Sequence, residues 1–236
     1  MSRIRVETEM RVKDYYAQLK RCYLTKIRQL VPKYDDMARC IVDLVKLRAP
    51  STVLDIGAGV GNLSYIILQE LPGVQITVVE ASEEMISEAA RVLQPASDRL
   101  TLVRKDIAEF SPEATFDGIF SNLVLHNIPF DRKAIPVSAI HDWLNPGGVF
   151  VWGDLIRYRD PHIQDHFVDQ RKAHAISAGC SEELVRQNFE KEAEQDYPLT
   201  IEETLEMASG AGFGGAELVW VHDTFAVFLL GKGVRQ

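Results

Sequence analysis

The chain has 236 residues, 46% of them hydrophobic and 25% charged, enough for one large α/β domain with a modest accessory element. Its formal net charge of −8 sets a repulsive background toward RNA or DNA, so a nucleic-acid partner is not favoured. No apolar run approaches the ~20 residues that cross a bilayer, and no membrane partner is expected.

Cys22, Cys40 and Cys180 are scattered and odd in number, with no CxxC pair, so neither a disulfide framework nor a metal site is expected. The opening MSRIRVETEMRVKDYY is charged and lacks the apolar centre of a signal peptide, which points to a cytoplasmic protein.

Residues 1–48 hold no glycine and one proline, Pro32. Tyr16, Leu19, Tyr23, Leu24, Ile27 and Leu30 recur at spacings of three and four, the pattern of an amphipathic helix that Pro32 ends. Met37, Ile41, Leu44 and Val45 predict a second helix. Together these form a helical cover over residues 1–48, with a homodimer contact as the alternative use of the same surface.

From Ser51 strand and helix signals alternate through a domain spanning 49–236. Strands are expected at Thr52–Ile56, Val74–Val79, Leu100–Val103, Phe116–Phe120 and Val149–Trp152. Ser82 caps a helix whose first turn carries Glu83 and Glu84, and Asn145-Pro-Gly-Gly148 makes a turn before the fifth strand. This order argues for a Rossmann-like, doubly wound parallel sheet. A polar helical stretch over Asp160–Glu194 forms an insertion at about 156–198. Thr200-Ile-Glu-Glu203 then reads as a capped helix start. Ala216–Val221 and Thr224–Leu230 are separated by only His222 and Asp223, so they must close the sheet as an antiparallel hairpin.

The chemistry starts at Asp55-Ile-Gly-Ala-Gly-Val-Gly61. Glycines after a buried strand let a ligand approach main-chain N–H groups at a helix N-terminus. A dinucleotide fingerprint needs a small residue at position 62, which is Asn62; the spacing here is G-x-G-x-G with an acid two residues earlier. Glu80 ends the second strand roughly 20 residues on, where a carboxylate can accept ribose hydroxyls. Loop spacing, strand-end acid and terminal hairpin together favour a nucleoside cofactor other than NAD.

On these residues the chain resembles the class I S-adenosylmethionine-dependent methyltransferases, particularly small standalone bacterial and archaeal ones. The likeness runs from about Tyr34 to Gly231. It is carried by VLDIGAGVGNLS at 53–64, VVEASEEMI at 78–86, KDI at 105–107, FDGIFSNLVLHNI at 116–128, LNPGGVFVWGDL at 144–155, AGF at 211–213 and FAVFLLGK at 225–232. The resemblance implies S-adenosylmethionine as cofactor and S-adenosylhomocysteine as product. Gly57, Ala58 and Gly59 would line the methionine portion, with Asp55 near its amino group. Glu80 would hold the ribose, Ala81 and Met85 would flank the adenine, and Asp106 with the Ile107 main chain would meet the adenine amino group. Asn122 and Leu123 would contact the methionine end, and Tyr34 would close over the cofactor. Packing for Tyr34 and turn-capping for Asp106 are the structural alternatives.

The acceptor should lie beside that crevice, over the strand C-terminal ends. His126 is the candidate general base, its alternative a histidine hydrogen-bonded within its own loop. Similar proteins carry two histidines here, where this chain has His126-Asn127. Asp154, Arg157, Tyr158 and Arg171 are candidate acceptor residues, the arginines for an acidic group. His162 and His166 share a helix face but lack a third metal ligand. The expected function is methyl transfer to a small-molecule acceptor. The alternatives are a relative that makes or uses a carboxylated cofactor on tRNA uridine, and a non-catalytic cofactor-binding protein.

Overall fold

The computed structural model describes residues 23–233. The sheet has seven strands in the order β3-β2-β1-β4-β5-β7-β6. They are β1 (Thr52–Ile56), β2 (Gln75–Glu80), β3 (Leu100–Arg104), β4 (Phe116–Asn122), β5 (Leu144–Leu155), β6 (Gly215–His222) and β7 (Phe225–Gly231). The first five are mutually parallel, while β7 runs antiparallel to both β5 and β6. The hairpin follows from its two-residue connection, which is too short for a crossover.

Alternate residues of each central strand feed opposite faces. Val53, Val78, Phe120, Val151 and Val227 join one apolar layer with helices α1 (Tyr23–Leu30) to α4 (Glu83–Leu93). Leu54, Val79, Ile119, Phe150 and Phe228 join the other, packed under α5 (Phe130–Trp143) and α8 (Ile201–Gly210). Helix α2 (Tyr34–Lys46) is welded to the sheet, with Met37, Ile41 and Val45 fully buried in the first layer. At Gly153 of β5 an added Cβ would lie 2.6 Å from Ile41 Cδ1, so glycine permits this close approach.

The amphipathic pattern beginning near Tyr16 is described only from Tyr23, where α1 starts; Tyr15, Tyr16 and Leu19 lie outside the described residues. Helix α1 packs on the insertion through a third, smaller cluster containing Leu30, Ala175, Cys180, Val185 and Phe189. Gln29 Nε2 reinforces it by donating to the Ala178 carbonyl at 2.7 Å.

One expected element gains detail and another is corrected. The polar stretch 160–194 is two helices, α6 (Pro161–Ser177) and α7 (Glu182–Gln195), because Gly179 takes φ +92° and Ser181 caps a new helix through Leu184 N–H. Asn145–Gly148 is a bulge inside β5 rather than a turn before it. Gly147 N–H donates to Lys232 O and Lys232 N–H donates back to Gly148 O, so the tail beyond β7 holds this segment in the sheet. Thr200 and Glu203 do form the reciprocal cap at the start of α8.

Chain order reverses at β1. The chain moves outward through β2 and β3, then returns to place β4 on the other side of β1. A crevice opens outside the carboxyl ends of the strands at such a switch point. Here it is bounded by the loop after Ile56 and the loop after Asn122.

Candidate active site

The glycine loop is turned back over β2. Gly57 N–H donates to Val79 O at 2.8 Å, and Gly57, Gly59 and Gly61 all have positive φ before helix α3 (Asn62–Glu70) begins. A side chain at Gly57 would strike Val124, whereas a Cβ at Gly59 would meet only the Tyr23 ring, at 3.7–3.8 Å. The glycines therefore do different work: one lets two loops cross, and the other leaves room above the backbone. Glu80 closes the far side. Its two oxygens accept from Gly59 N–H at 2.9 Å and Ser82 N–H at 2.8 Å. Burial pushes the Glu80 carboxyl above its usual range, against the pull of those donors.

Tyr23, Tyr34, Asp55, Gly57, Ala58, Asn62 and Asn122 line a cavity of about 20 Å³ in this crevice. Asp55 is buried at its base and accepts from Ser64 Oγ at 2.5 Å. Burial, with Glu80 adding repulsion, pushes its carboxyl up to about 7. Tyr34 is buried and its hydroxyl accepts from Asn62 Nδ2 at 3.0 Å. Asn122 lines the crevice, and its Oδ1 is buried beside Gly153 with no partner among the described residues. Leu123 holds φ +59°, with its N–H donating to Gly153 O at 2.9 Å. That costs a non-glycine residue about 1–2 kcal/mol, the kind of strain that collects at functional sites.

Met85 is buried beyond Glu80 on α4, and Ala81 is exposed. Asp106 caps its own turn, accepting from Ala108 N–H at 2.9 Å, and the Ile107 side chain packs on the second apolar layer.

Leu123 leads directly into a second cavity, of about 70 Å³. Tyr23, Leu155 and Phe225 give it apolar walls, and His126, Arg171, Lys191, Glu192 and Asp196 give it polar ones. His126 is buried. Its main-chain N–H donates to Asp154 Oδ2 at 3.0 Å, and its Nδ1 lies 2.5 Å from Asp154 Oδ1. Neighbours determine the tautomer. Lys191 can only donate, so Asn127 accepts its proton through Oδ1 at 3.1 Å and turns Nδ2 toward His126 Nε2 at 3.2 Å. Nε2 is thus the acceptor, and Nδ1 carries the proton to Asp154. Burial pushes the Asp154 carboxyl up, but His126, Lys133 and the Trp152 indole together outweigh it and hold the carboxyl below its usual range.

Of the four residues expected on the acceptor side, Arg171 alone lines this cavity. It makes a bidentate pair with Glu192, both bonds at 2.8 Å, between the faces of Phe189 and Phe225. Asp154 stands behind His126. Arg157 is spent on Glu203 and the Pro198 carbonyl, and Tyr158 on Phe167 and the Asp223 carbonyl. His162 and His166 stay on α6, with His166 Nε2 3.0 Å from Gln170.

Residues 54–150 match a family model described as a methyltransferase domain. Over this stretch the chain is similar to the class I S-adenosylmethionine-dependent methyltransferases. It is 27% identical over 208 residues to a carboxy-S-adenosyl-L-methionine synthase of Campylobacter curvus, covering 87% of this chain and 88% of that one. It is 30% identical to a trans-aconitate 2-methyltransferase of an Azoarcus strain, over 52% of this chain and 47% of that one. Among solved structures it resembles the DhpI–SAH complex, with TM-score 0.64 and 21% identity across 94% of this chain and 96% of that one. At that identity the likeness shows the fold. No helix among the described residues is long and apolar enough to cross a membrane.

Several residues of the site gave no usable signal in the sequence. Lys133 looks like an exposed lysine of α5, yet it is buried and donates to Leu125 O at 2.6 Å and Tyr197 O at 2.8 Å. Its partners are carbonyls, which every residue carries, and one lies 64 positions away. Tyr23 fitted a helical packing stripe, while the structure puts it in the wall of both cavities.

Proposed function

We propose that the protein transfers the methyl group of S-adenosylmethionine to a small-molecule acceptor held in the cavity beside His126, by in-line displacement. The observation that carries this reading is the junction at Leu123. A glycine crevice with an acid at its far end opens there beside a cavity walled in part by His126, which Asp154 backs from behind.

The residues of the crevice fit the cofactor. Gly57 and Gly59 leave the backbone approachable, buried Asp55 suits an ammonium group, and Glu80 keeps lone pairs for two ribose hydroxyls. Bound there, the cofactor supplies an electrophilic methyl group whose sulfur leaves as a neutral thioether. The chain's own task is to align the acceptor, exclude water and remove a proton where the acceptor carries one. His126 Nε2 is oriented to take that proton, and Asp154 stabilises the imidazolium that results.

The first test is calorimetry with S-adenosylmethionine, S-adenosylhomocysteine and NAD. Micromolar binding of the first two and none of NAD is expected; NAD binding refutes the reading. Glu80→Ala should weaken binding at least tenfold. It removes two charge-assisted bonds of about 1.5–3 kcal/mol each at most, and ~1.4 kcal/mol is already tenfold.

A second reading, chemistry on a carboxylated form of the cofactor, is favoured by the near full-length match to the Campylobacter synthase. Mass spectrometry of ligands that copurify with the protein separates the two, because the carboxylated form is heavier.

A further inference from the structure

We propose that the acceptor is a compact, uncharged hydroxyl compound of the phenol or enol type, and that the cavity rejects carboxylates and phosphates. This rests on the transferase reading and names the substrate class of the same site.

Charge in the cavity wall decides what can enter. Arg171 and Lys191 are the described cations in the cavity wall, and both are committed. Arg171 gives both terminal nitrogens to Glu192, only its fully buried Nε being without a partner among the described residues, and Lys191 reaches Asp196 Oδ1 at 2.5 Å. The pairs are well buried; the Arg171 side chain is 3% exposed and that of Asp196 6%. Arg171 is also wedged between two rings, with its guanidinium carbon 4.9 Å from the Phe189 centroid and 4.6 Å from that of Phe225. It cannot swing toward a ligand without abandoning the pair and both ring faces. An anionic acceptor would have to break an ion pair or enter unpaired, leaving an uncompensated buried charge either way. The arginine that the sequence offered to an acidic acceptor is thus a structural strut. An ammonium acceptor meets the same obstacle, since Glu192 and Asp196 are neutralised by these partners.

His126 Nε2 remains, held by a long contact to Asn127 at 3.2 Å and standing 3.9 Å from Oδ2 of Asp196, whose other oxygen Lys191 holds. An acceptor hydroxyl takes the place of Asn127 and donates to Nε2. Its proton passes to Nε2 as the oxygen bonds to the methyl carbon. The carbon–sulfur bond breaks with its electron pair staying on sulfur, giving a methyl ether, a neutral thioether and an imidazolium that Asp154 stabilises. An imidazole base works best on a hydroxyl not far above it in acidity, which favours a phenol or enol over an alkyl alcohol. The apolar wall of Tyr23, Leu155 and Phe225 suits such an unsaturated body.

The test compares phenol with benzoate, a pair matched in ring and differing in charge, on protein with and without S-adenosylhomocysteine. Saturation-transfer NMR and calorimetry are the binding readouts, and mass spectrometry follows methyl incorporation. We expect phenol to bind at least tenfold more tightly than benzoate and to be converted to anisole. His126→Gln should abolish conversion while changing phenol affinity less than threefold. Glu192→Gln, checked for folding by its thermal transition, frees Arg171 and should raise benzoate affinity. Benzoate binding as tightly as phenol in the wild type, or neither binding, overturns the proposal whatever the variants do. Failure to bind S-adenosylhomocysteine refutes the transferase reading instead, and the phenol–benzoate comparison on the ligand-free protein still decides the chemistry of the cavity.

Discussion

Asp55→Asn should make the ligand-free protein gain stability relative to wild type as pH rises, while weakening its hold on the cofactor. Asp55 is 3% exposed, and Ser64 Oγ is the hydrogen-bond donor that compensates its charge. Burial and the nearby Glu80 carboxylate push its carboxyl from the ordinary 3.8 up to about 7. Between those values the folded state holds a proton that the unfolded chain has lost, so this group makes stability fall as pH rises. Below pH 3.8 the penalty is absent, and above about 7 it is complete. At ~1.36 kcal/mol per pH unit the whole effect is about 4 kcal/mol, of which roughly 3 falls between pH 5 and pH 8. Asparagine cannot ionise and keeps an oxygen for Ser64. Titrating groups that do not interact with Asp55 are common to both proteins and cancel in the difference, leaving Glu80 as the one coupled carboxylate. Urea unfolding of both proteins at pH 5 and pH 8 measures it: the stability of Asp55→Asn minus that of wild type should rise by about that amount. Calorimetry with S-adenosylmethionine should show the opposite preference, because a bound ammonium favours the ionised carboxylate. Wild-type affinity should therefore climb from pH 5 to pH 7 more steeply than the variant's. A stability difference that stays flat across pH would refute the reasoning.

Gly57→Ala and Gly59→Ala separate crowding from backbone strain, since both positions have positive φ but only Gly57 faces Val124, at 2.4 Å. Urea melts should give a loss of about 2–5 kcal/mol for the first and about 1–2 for the second, from left-handed strain with and without overpacking; equal losses would contradict the geometry. Lys133→Met should destabilise the protein by stranding the Leu125 and Tyr197 carbonyls. Burial pushes the Lys133 amine down to about 8 from 10.5, so the folded state loses its proton first and wild-type stability gains as pH rises between those values. The deficit of the methionine variant should accordingly widen from pH 8 toward pH 10, and a constant deficit would show that the amine is not perturbed. The crevice cavity of about 20 Å³ holds little more than a water molecule. Tyr23 stands in its wall, and hydrogen exchange over Tyr23–Leu30 should change when S-adenosylhomocysteine is added; identical protection would leave α1 a static wall.

The sequence alone determined the sheet, because its signals are local. Buried strands read as apolar runs, caps such as Ser82 and Thr200 bond three residues ahead, and a two-residue connection allows only a hairpin. It also marked the crevice, since backbone at positive φ selects glycine directly, and an acid at the end of a strand stands where the strand points. The expected turn before β5 became a bulge, and the polar helical stretch over 160–194 resolved into two helices. Lys232 holds the bulge from far along the chain, and Gly179 with Ser181 divides helices that share one polar composition. The acceptor side was decided by tertiary structure. Arg157, Arg171 and Lys133 carry the same residue-type signal, yet one is tied to Glu203, one to Glu192 and one to two backbone carbonyls. Whether a charge is free for a ligand depends on which partner the fold has already given it, and those partners lie 8 to 64 residues away, beyond the reach of any local pattern.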